Sequence, residues 1–176
     1  MSFTPERLLQ ALESSLDAAR EPAAQALCLA LSGGLDSTVL LHALARLRVA
    51  GNLRLPLRAV HVDHGLHPGS ADWSAACARL AAEVSVPLTR LRVNARAATG
   101  ESPEAAARVA RYGALQGQLG AGEVLLTAHH ADDQLETILL QWLRGGGLQA
   151  VAGMARLARF GAGWHARPLL DTPREH

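Results

Sequence analysis

The chain has 176 residues, 49% of them hydrophobic, which suits one domain with its own core and excludes a disordered or fibrous protein. Its formal net charge of +1 argues neither for nor against a nucleic-acid partner, and its two cysteines exclude a disulfide framework or a paired-cysteine site. Neither a signal peptide nor an apolar run of membrane length appears, so we expect a cytoplasmic protein without a membrane partner.

Helices and strands are predicted to alternate along most of the chain. A helix begins after Thr4, its N-cap, and runs to about residue 20. The patterns that follow predict strands over 26–31, 57–62, 87–93 and 123–128, and helices over 38–49, 70–85, from 103, and 132–144. This alternation predicts an α/β fold with a doubly wound parallel sheet, in which ligands bind beyond the carboxyl ends of the strands.

The alternation of predicted strands and helices ends at residue 144. Three glycines come first, and two apolar runs, 154–160 and 164–170, then flank a Gly-Ala-Gly turn and predict a β-hairpin. Residues 172–175 read as a capping box that starts a further helix, so we expect a longer protein to continue from here. The predicted organisation is a leading helix (1–22), an α/β core (23–144) and a glycine-rich loop with the hairpin (145–176).

A glycine turn between the first predicted strand and its helix is the strongest candidate site. Its sequence is SGGLDS, residues 32–37. Two glycines allow successive amides to converge on phosphate oxygens, and the following helix directs its positive end at the same point. Asp36 would reach a phosphate only through a cation such as Mg²⁺. An ordinary connection, with Ser37 as the helix N-cap, explains the same glycines.

A second polar cluster, TAHHADDQLET, spans residues 127–137. Asp133 and Glu136 lie three apart at the start of a predicted helix, so they share one face. Two carboxylates there could hold a magnesium ion or the ammonium group of an amine substrate. Alternatively, they only complement the helix dipole, with Asp132 as the N-cap.

These motifs resemble those of known families. The SGGLDS turn resembles the SGGxDS motif of the PP-loop ATP pyrophosphatases, which split ATP into AMP and pyrophosphate while adenylating a substrate. With HVDHGL (61–66), ARVARY (107–112), the 127–137 cluster and RGGGL (144–148), the chain resembles the N-terminal domain of tRNA(Ile)-lysidine synthetases. That family attaches L-lysine to the first anticodon cytidine of an isoleucine tRNA with anticodon CAU.

The resemblance implies a role for each matching residue. ATP would be bound by the turn, that is by Ser32, Gly33, Gly34, Leu35, Asp36 and Ser37. Magnesium would be held by Asp36 and Glu136, and catalysis would involve Asp36, Arg111, Asp133 and Glu136. Further contacts to substrate or RNA are expected from Asp63, His64, Arg108, His129, His130 and Arg144.

The chain departs from the family pattern in three respects. His67 stands where an arginine is usual, and the glycine-rich segment continues as LQAVAGM (148–154), where the family usually continues with a small residue and Gly-Met. The C-terminal domains with which the family grips the tRNA are absent from these 176 residues. The sequence also leaves a homodimer open.

Other functions fit parts of the sequence. His61, His64 and His67 recur every third residue and, with His129 and His130, could form a transition-metal hydrolase site. A related PP-loop enzyme with another acceptor, such as a tRNA thiolase or a GMP or NAD synthetase, would keep the ATP site. A non-catalytic nucleotide sensor would bind ATP without forming AMP. The general base stays open among Asp133, Glu136 and the two adjacent histidines, His129 and His130.

Overall fold

The computed structural model describes residues 4–19, 23–63, 65, 69–95, 100, 102–146 and 152–174. These form one six-stranded sheet with flanking helices. The helices are α1 (Pro5–Ala18), α2 (Leu35–Val49), α3 (Ser70–Glu83), α4 (Pro103–Gln118) and α5 (Ala131–Leu143). The strands are β1 (Ala26–Ala30), β2 (Leu57–Asp63), β3 (Leu88–Arg92), β4 (Glu123–Leu126), β5 (Leu157–Phe160) and β6 (Gly163–Ala166).

The strand order is β3-β2-β1-β4-β6-β5, and all neighbours are parallel except β5 and β6. The predicted parallel sheet and terminal hairpin are therefore confirmed. The hairpin also joins the main sheet, because β6 pairs with β4. The order reverses between β1 and β4, and a ligand cleft is expected beside the carboxyl ends of such a pair.

The core lies on both faces of the sheet. On β1, Leu27 and Leu29 pack into the cluster formed with α1, α2 and α3, whereas Cys28 packs with Leu115 and Leu119 at the end of α4. Successive side chains of a strand point to opposite faces, so a strand covered on both sides is apolar throughout. Burial raises the pKa of Cys28 to about 11, which keeps this thiol unreactive.

Two helix starts differ from the predicted positions. Helix α2 begins at Leu35 instead of residue 38, because the Gly34 carbonyl accepts hydrogen bonds from the amide of Thr38 (3.1 Å) and from the hydroxyls of Ser37 and Thr38. Ser37 is therefore inside the helix and is not its N-cap. Helix α5 has His130 as its N-cap, and the expectation that Asp132 caps it is wrong.

Helix α5 lies largely outside the core. None of its residues is buried, and its large apolar side chains include Leu135, Leu139, Leu140, Trp142 and Leu143, all exposed. Over the described residues, no helix is both long enough and apolar enough for a bilayer span. Residues 172–174 are not helical, and Glu175 of the predicted capping box lies outside the described residues.

Candidate active site

A cleft of about 380 Å³ opens at the carboxyl ends of β1, β2 and β4. It lies where the strand order reverses, as expected for this class of sheet. The structure brings many of the predicted site residues to its walls, namely Ser32, Gly34, Asp36, Ser37, Asp63, Arg111, His129 and Asp133.

The glycine turn forms the β1 wall of this cleft. Gly33 has φ +84°, a conformation that side chains disfavour, and an added Cβ would overlap the indole of Trp73 and lie 2.8 Å from the sulfur of Cys77. The hydroxyls of Ser32 and Ser37 are 3.0 Å apart and bond to each other. Gly34 caps α2 without a side-chain hydrogen bond to its first amides, so the helix start can accept an anion.

Asp36 extends from the first turn of α2 into the cleft. Its Oδ2 lies 3.9 Å from Nε2 of His130, and its Oδ1 lies 3.5 Å from Nε of Arg174. The side chain is 34% exposed, so the carboxylate remains accessible. Carboxylate oxygen is the ligand type that Mg²⁺ prefers, and this ion usually completes its shell with water and substrate phosphates. Asp36 therefore fits a magnesium ligand beside a phosphate site.

A reciprocal cap fixes the start of α5. The amide of His130 donates to Oδ2 of Asp133 (2.9 Å), and the amide of Asp133 donates to Nδ1 of His130 (3.4 Å). Since Nδ1 accepts, a neutral His130 carries its proton on Nε2. That nitrogen lies 3.5 Å from Asp133 and 3.9 Å from Asp36, so His130 bridges two carboxylates. Asp133 therefore caps α5, independently of any part that it takes in the reaction.

His129 faces the same cleft but has different partners. Its Nδ1 is 2.8 Å from Oγ1 of Thr127, which in turn is 2.9 Å from Nε2 of His165. Burial, with the charge of Arg167 as a second cause, lowers the pKa of His129 to about 4 and that of His165 to about 3. Both imidazoles are therefore neutral near pH 7.

Arginines surround Tyr112 at the α4 wall. The guanidinium carbons of Arg108 and Arg111 lie 5.3 and 5.5 Å from the tyrosine ring centre, within cation–π range. Arg111 and Tyr112 line the cleft. Arg167 also lies nearby, and its guanidinium donates to the Ala155 carbonyl and to His165. Burial lowers the pKa of Arg167, and its Nε is buried without a hydrogen-bond partner among the described residues.

Other predicted residues lie away from this cleft or outside the described structure. Glu136 is exposed and does not line the cleft. Arg144 caps the far end of α5, roughly 16 Å along the helix axis from Asp133. His64 lies outside the described residues, and the adjacent Asp63 accepts a hydrogen bond from the amide of Gly65 (2.8 Å).

The transition-metal alternative finds no support in the described part of the chain. His61 is buried, and its Nδ1 lies 2.8 Å from the carbonyl oxygen of Leu31. Among the residues that the structure describes, no three histidine, cysteine or acidic side chains come together as a metal site. His67 lies outside these residues.

Four polar residues at the site were not predicted from the sequence, namely Thr127, His165, Arg167 and Arg174. Arg167 is half-buried, and its guanidinium is directed at His165. One usable signal was present. His165 and Arg167 are separated by two positions at the end of an apolar run, so in a strand they point to one face.

Comparisons with known proteins agree with this geometry. The PP-loop domain family matches residues 6–176. The tRNA(Ile)-lysidine synthase of Alkalilimnicola ehrlichii is 54% identical over 148 residues, which are 84% of this chain and 33% of that protein. The enzyme of the same name from Pseudomonas aeruginosa is 49% identical over 169 residues, 96% of this chain and 36% of that protein. The chain thus spans about a third of the length of these relatives.

Solved structures with low sequence identity share the fold. The U34-tRNA thiolase NcsA of Methanococcus maripaludis has a TM-score of 0.67 at 16% identity, over 96% of this chain and 60% of that one. The NH3-dependent NAD synthetase of Campylobacter jejuni has a TM-score of 0.55 at 12% identity, over 97% of this chain and 67% of that one. At these identities the likeness concerns the fold alone.

Proposed function

The chain belongs to the PP-loop domain family, and from this premise we propose that it binds ATP with Mg²⁺ and serves in the formation of lysidine on a tRNA. In the proposed reaction, O2 of the first anticodon cytidine of CAU-anticodon isoleucine tRNA attacks the α-phosphorus of ATP and pyrophosphate leaves. The ε-amine of L-lysine then attacks C2 of the adenylated base, and AMP leaves. We place this reaction in the cytoplasm.

One observation carries the proposal. The glycine turn and the start of α5 meet in one cleft, where His130 lies between the carboxylates of Asp36 and Asp133. The start of α2, to which we assign the phosphates, therefore carries one carboxylate, and the start of α5 brings a second one close to it. A nucleotide and an amine could be held side by side in such a site.

The residues of this chain have separable tasks in the first step. The uncapped amides at the start of α2 would hold phosphate oxygens. Asp36 would hold Mg²⁺, which offsets the charge of the departing pyrophosphate. Arg111, on the α4 wall, would contact the target base or its adenylated form.

The second step requires a proton acceptor, because a lysine amine is mostly protonated near neutrality. Neither ring nitrogen of His130 is free to accept the proton, since Nδ1 accepts from the Asp133 amide and Nε2 carries a proton and faces two carboxylates. We therefore assign amine binding and proton acceptance to Asp133, with Glu136 one turn further along the helix as the second carboxylate. Glu136 would reach the amine only if the bound RNA or lysine extends beyond the cleft wall.

Product analysis tests this function. The protein at its full natural length is incubated with labelled ATP, Mg²⁺, lysine and a CAU-anticodon tRNA transcript. We expect AMP and pyrophosphate in equal amounts, and lysine joined to the tRNA. Asp36→Asn should abolish AMP formation, because it removes the charge that a magnesium ligand needs while keeping the shape of the side chain.

A tRNA with uridine at the first anticodon position is the matched substrate control. AMP formation with that tRNA at the same rate would contradict the assignment of the cytidine as acceptor. AMP formation that needs ammonia or a sulfur donor in place of lysine would favour a related PP-loop enzyme. ATP binding with no AMP under any of these conditions would favour a nucleotide sensor.

A further inference from the structure

Four polar groups form a continuous hydrogen-bonded chain behind the cleft. Nη2 of Arg167 is 3.2 Å from Nδ1 of His165, and Nε2 of His165 is 2.9 Å from Oγ1 of Thr127. The same hydroxyl is 2.8 Å from Nδ1 of His129. His165 and Thr127 are buried, so solvent does not compete for these contacts.

The donor at one end sets the direction of every bond in this chain. A guanidinium has only donors, so Nδ1 of His165 must accept, and neutral His165 then carries its proton on Nε2. That proton is donated to the oxygen of Thr127. Within the described structure the Thr127 hydroxyl has one other partner, Nδ1 of His129, so its own proton goes there.

The remaining ring nitrogen of His129, Nε2, is the one that is available to a ligand. His129 lines the cleft wall, and its Nε2 has no hydrogen-bond partner among the described residues and is not sealed from solvent. If Nδ1 accepts from Thr127, a neutral ring has its proton on Nε2. The surroundings favour the neutral form, first because the ring is largely buried, and second because Arg108, Arg111 and Arg167 outnumber Asp133 among the charged groups described around it.

We propose that Arg167, acting through His165 and Thr127, is a positioning residue that fixes His129 as a hydrogen-bond donor to an oxygen atom of the ligand in the cleft. The oxygen is either a phosphoryl oxygen of the nucleotide or a carbonyl oxygen of the acceptor base. A neutral donor suits either one without adding a charge near the three arginines that already act on His129. The proposal goes beyond the function above, since the proton positions hold in the free protein whatever the acceptor.

The proposal has a consequence for proton transfer. With its proton on Nε2 and its Nδ1 bonded to Thr127, His129 has no lone pair available to a ligand. It therefore cannot take a proton from an amine in the cleft, although its position would otherwise suit a general base. Proton acceptance is left to the carboxylates.

Nitrogen NMR on the free protein, labelled with ¹⁵N histidine, tests the proton positions directly. Two-bond proton–nitrogen correlations report which ring nitrogen carries the proton, and the variants His129→Gln and His165→Gln assign the two rings among the eight histidines. We expect both rings to be neutral near pH 7 with the proton on Nε2. A proton on Nδ1 of His129 overturns the proposal, even if the protein proves active.

Variants of the hydroxyl distinguish positioning from packing. Thr127→Val keeps the shape and removes the hydroxyl, so the ring of His129 should become a mixture of tautomers. Thr127→Ser restores the hydroxyl and should restore the single tautomer. Arg167→Met should likewise release the fixed tautomer of His165, whereas Arg167→Lys, which keeps a donor, should retain it. A single His129 tautomer in Thr127→Val would overturn the relay.

Binding and turnover identify the oxygen. If His129 donates to a phosphoryl oxygen, Thr127→Val weakens ATP binding by about three- to tenfold while Thr127→Ser does not. If the oxygen belongs to the base, ATP affinity is unchanged and AMP formation with the tRNA slows by about tenfold or more. Equal ATP binding and equal rates in both variants would overturn the donor role.

Discussion

Two neighbouring strands of the sheet, β1 and β4, each lead through a short turn into a helix at the cleft, and the two turns are built differently. The β1 turn consists of glycines and small hydroxyl residues, and its helix α2 contributes seven buried residues. The β4 turn (127–130) carries three polar side chains, Thr127, His129 and His130, and none of the residues of α5 is buried. One turn is therefore held by the core, and the other by polar side chains.

This difference assigns different tasks to the two halves of the site. Phosphate binding needs a backbone that stays in place before the ligand arrives, and burial of the following helix provides that rigidity. The β4 half depends instead on particular hydrogen bonds, namely the His130–Asp133 cap and the Thr127 contacts. Its geometry should therefore respond to charge and pH, whereas that of the β1 half should not.

The largest expected effect contrasts the two helices. Leu44 in α2 is fully buried, whereas Leu143 in α5 is 84% exposed. Leu44→Ala should lower the free energy of unfolding by about 2–5 kcal/mol, since it removes buried surface and leaves a cavity. Leu143→Ala should change it by less than about 0.5 kcal/mol. Urea denaturation followed by circular dichroism measures both, and similar losses would contradict the comparison.

The next effect concerns pH and the β4 turn. Burial lowers the pKa of His129 to about 4 and of His165 to about 3 in the folded protein, so the unfolded chain binds more protons below pH 6.5. Stability should be constant above pH 6.5 and fall as the pH decreases towards 4.5, by about 2 kcal/mol for each histidine.

A variant isolates this pH effect. In His165→Gln the loss of stability between pH 6.5 and 4.5 should be roughly halved, because one of the two titrating groups is gone. The window ends near the ordinary pKa of a glutamate, so acid titration of Glu123, whose pKa is lowered by its hydrogen bond with Arg58, contributes less than about 0.5 kcal/mol within it. A stability that is flat from pH 7 to 4.5 would contradict the burial of neutral histidines.

A smaller effect separates the two glycines of the β1 turn. Gly33→Ala places an alanine at φ +84° with its Cβ against Trp73. It should lower the free energy of unfolding by about 1–2 kcal/mol and should also weaken ATP binding. Gly34→Ala is the matched control, because φ is −73° and the new Cβ would be 3.5 Å from Ser32. It should leave the stability nearly unchanged. Equal stability losses would show that the conformation of Gly33 is not what the turn requires.

Sequence patterns predicted the strands and their carboxyl-end cleft well, because burial on both faces leaves an apolar signal and the parallel order follows from alternation. They also predicted the residues of both turns, which are close together in the chain. The same patterns placed the start of α2 three residues too late. The helix begins with hydrogen bonds to the backbone carbonyl of Gly34, and a glycine has no capping side chain that would mark this position in the sequence.

Contacts between distant segments could not be predicted in this way. Thr127 meets His165 across 38 positions, and Asp36 meets Arg174 only because the end of the chain returns to the cleft. The N-cap of α5 was misassigned because histidine rarely caps helices, whereas Asp132 has the usual chemistry for it. In each case several polar residues could form the contact or the cap, and the tertiary structure determines which of them does.

The smallest effect separates the two roles of Asp133, which caps α5 and faces the cleft. Asp133→Ala should cost about 1 kcal/mol of stability, since it removes the acceptor for the His130 amide. Asp133→Asn keeps an oxygen that can accept this hydrogen bond, so its stability should stay close to that of the unaltered protein. If the carboxylate also binds the amine, both variants should lose AMP release with lysine and tRNA to a similar degree. Full activity in Asp133→Asn would mean that this residue only caps the helix, and the reaction would then depend on His129 of the β4 turn and on Glu136 of α5.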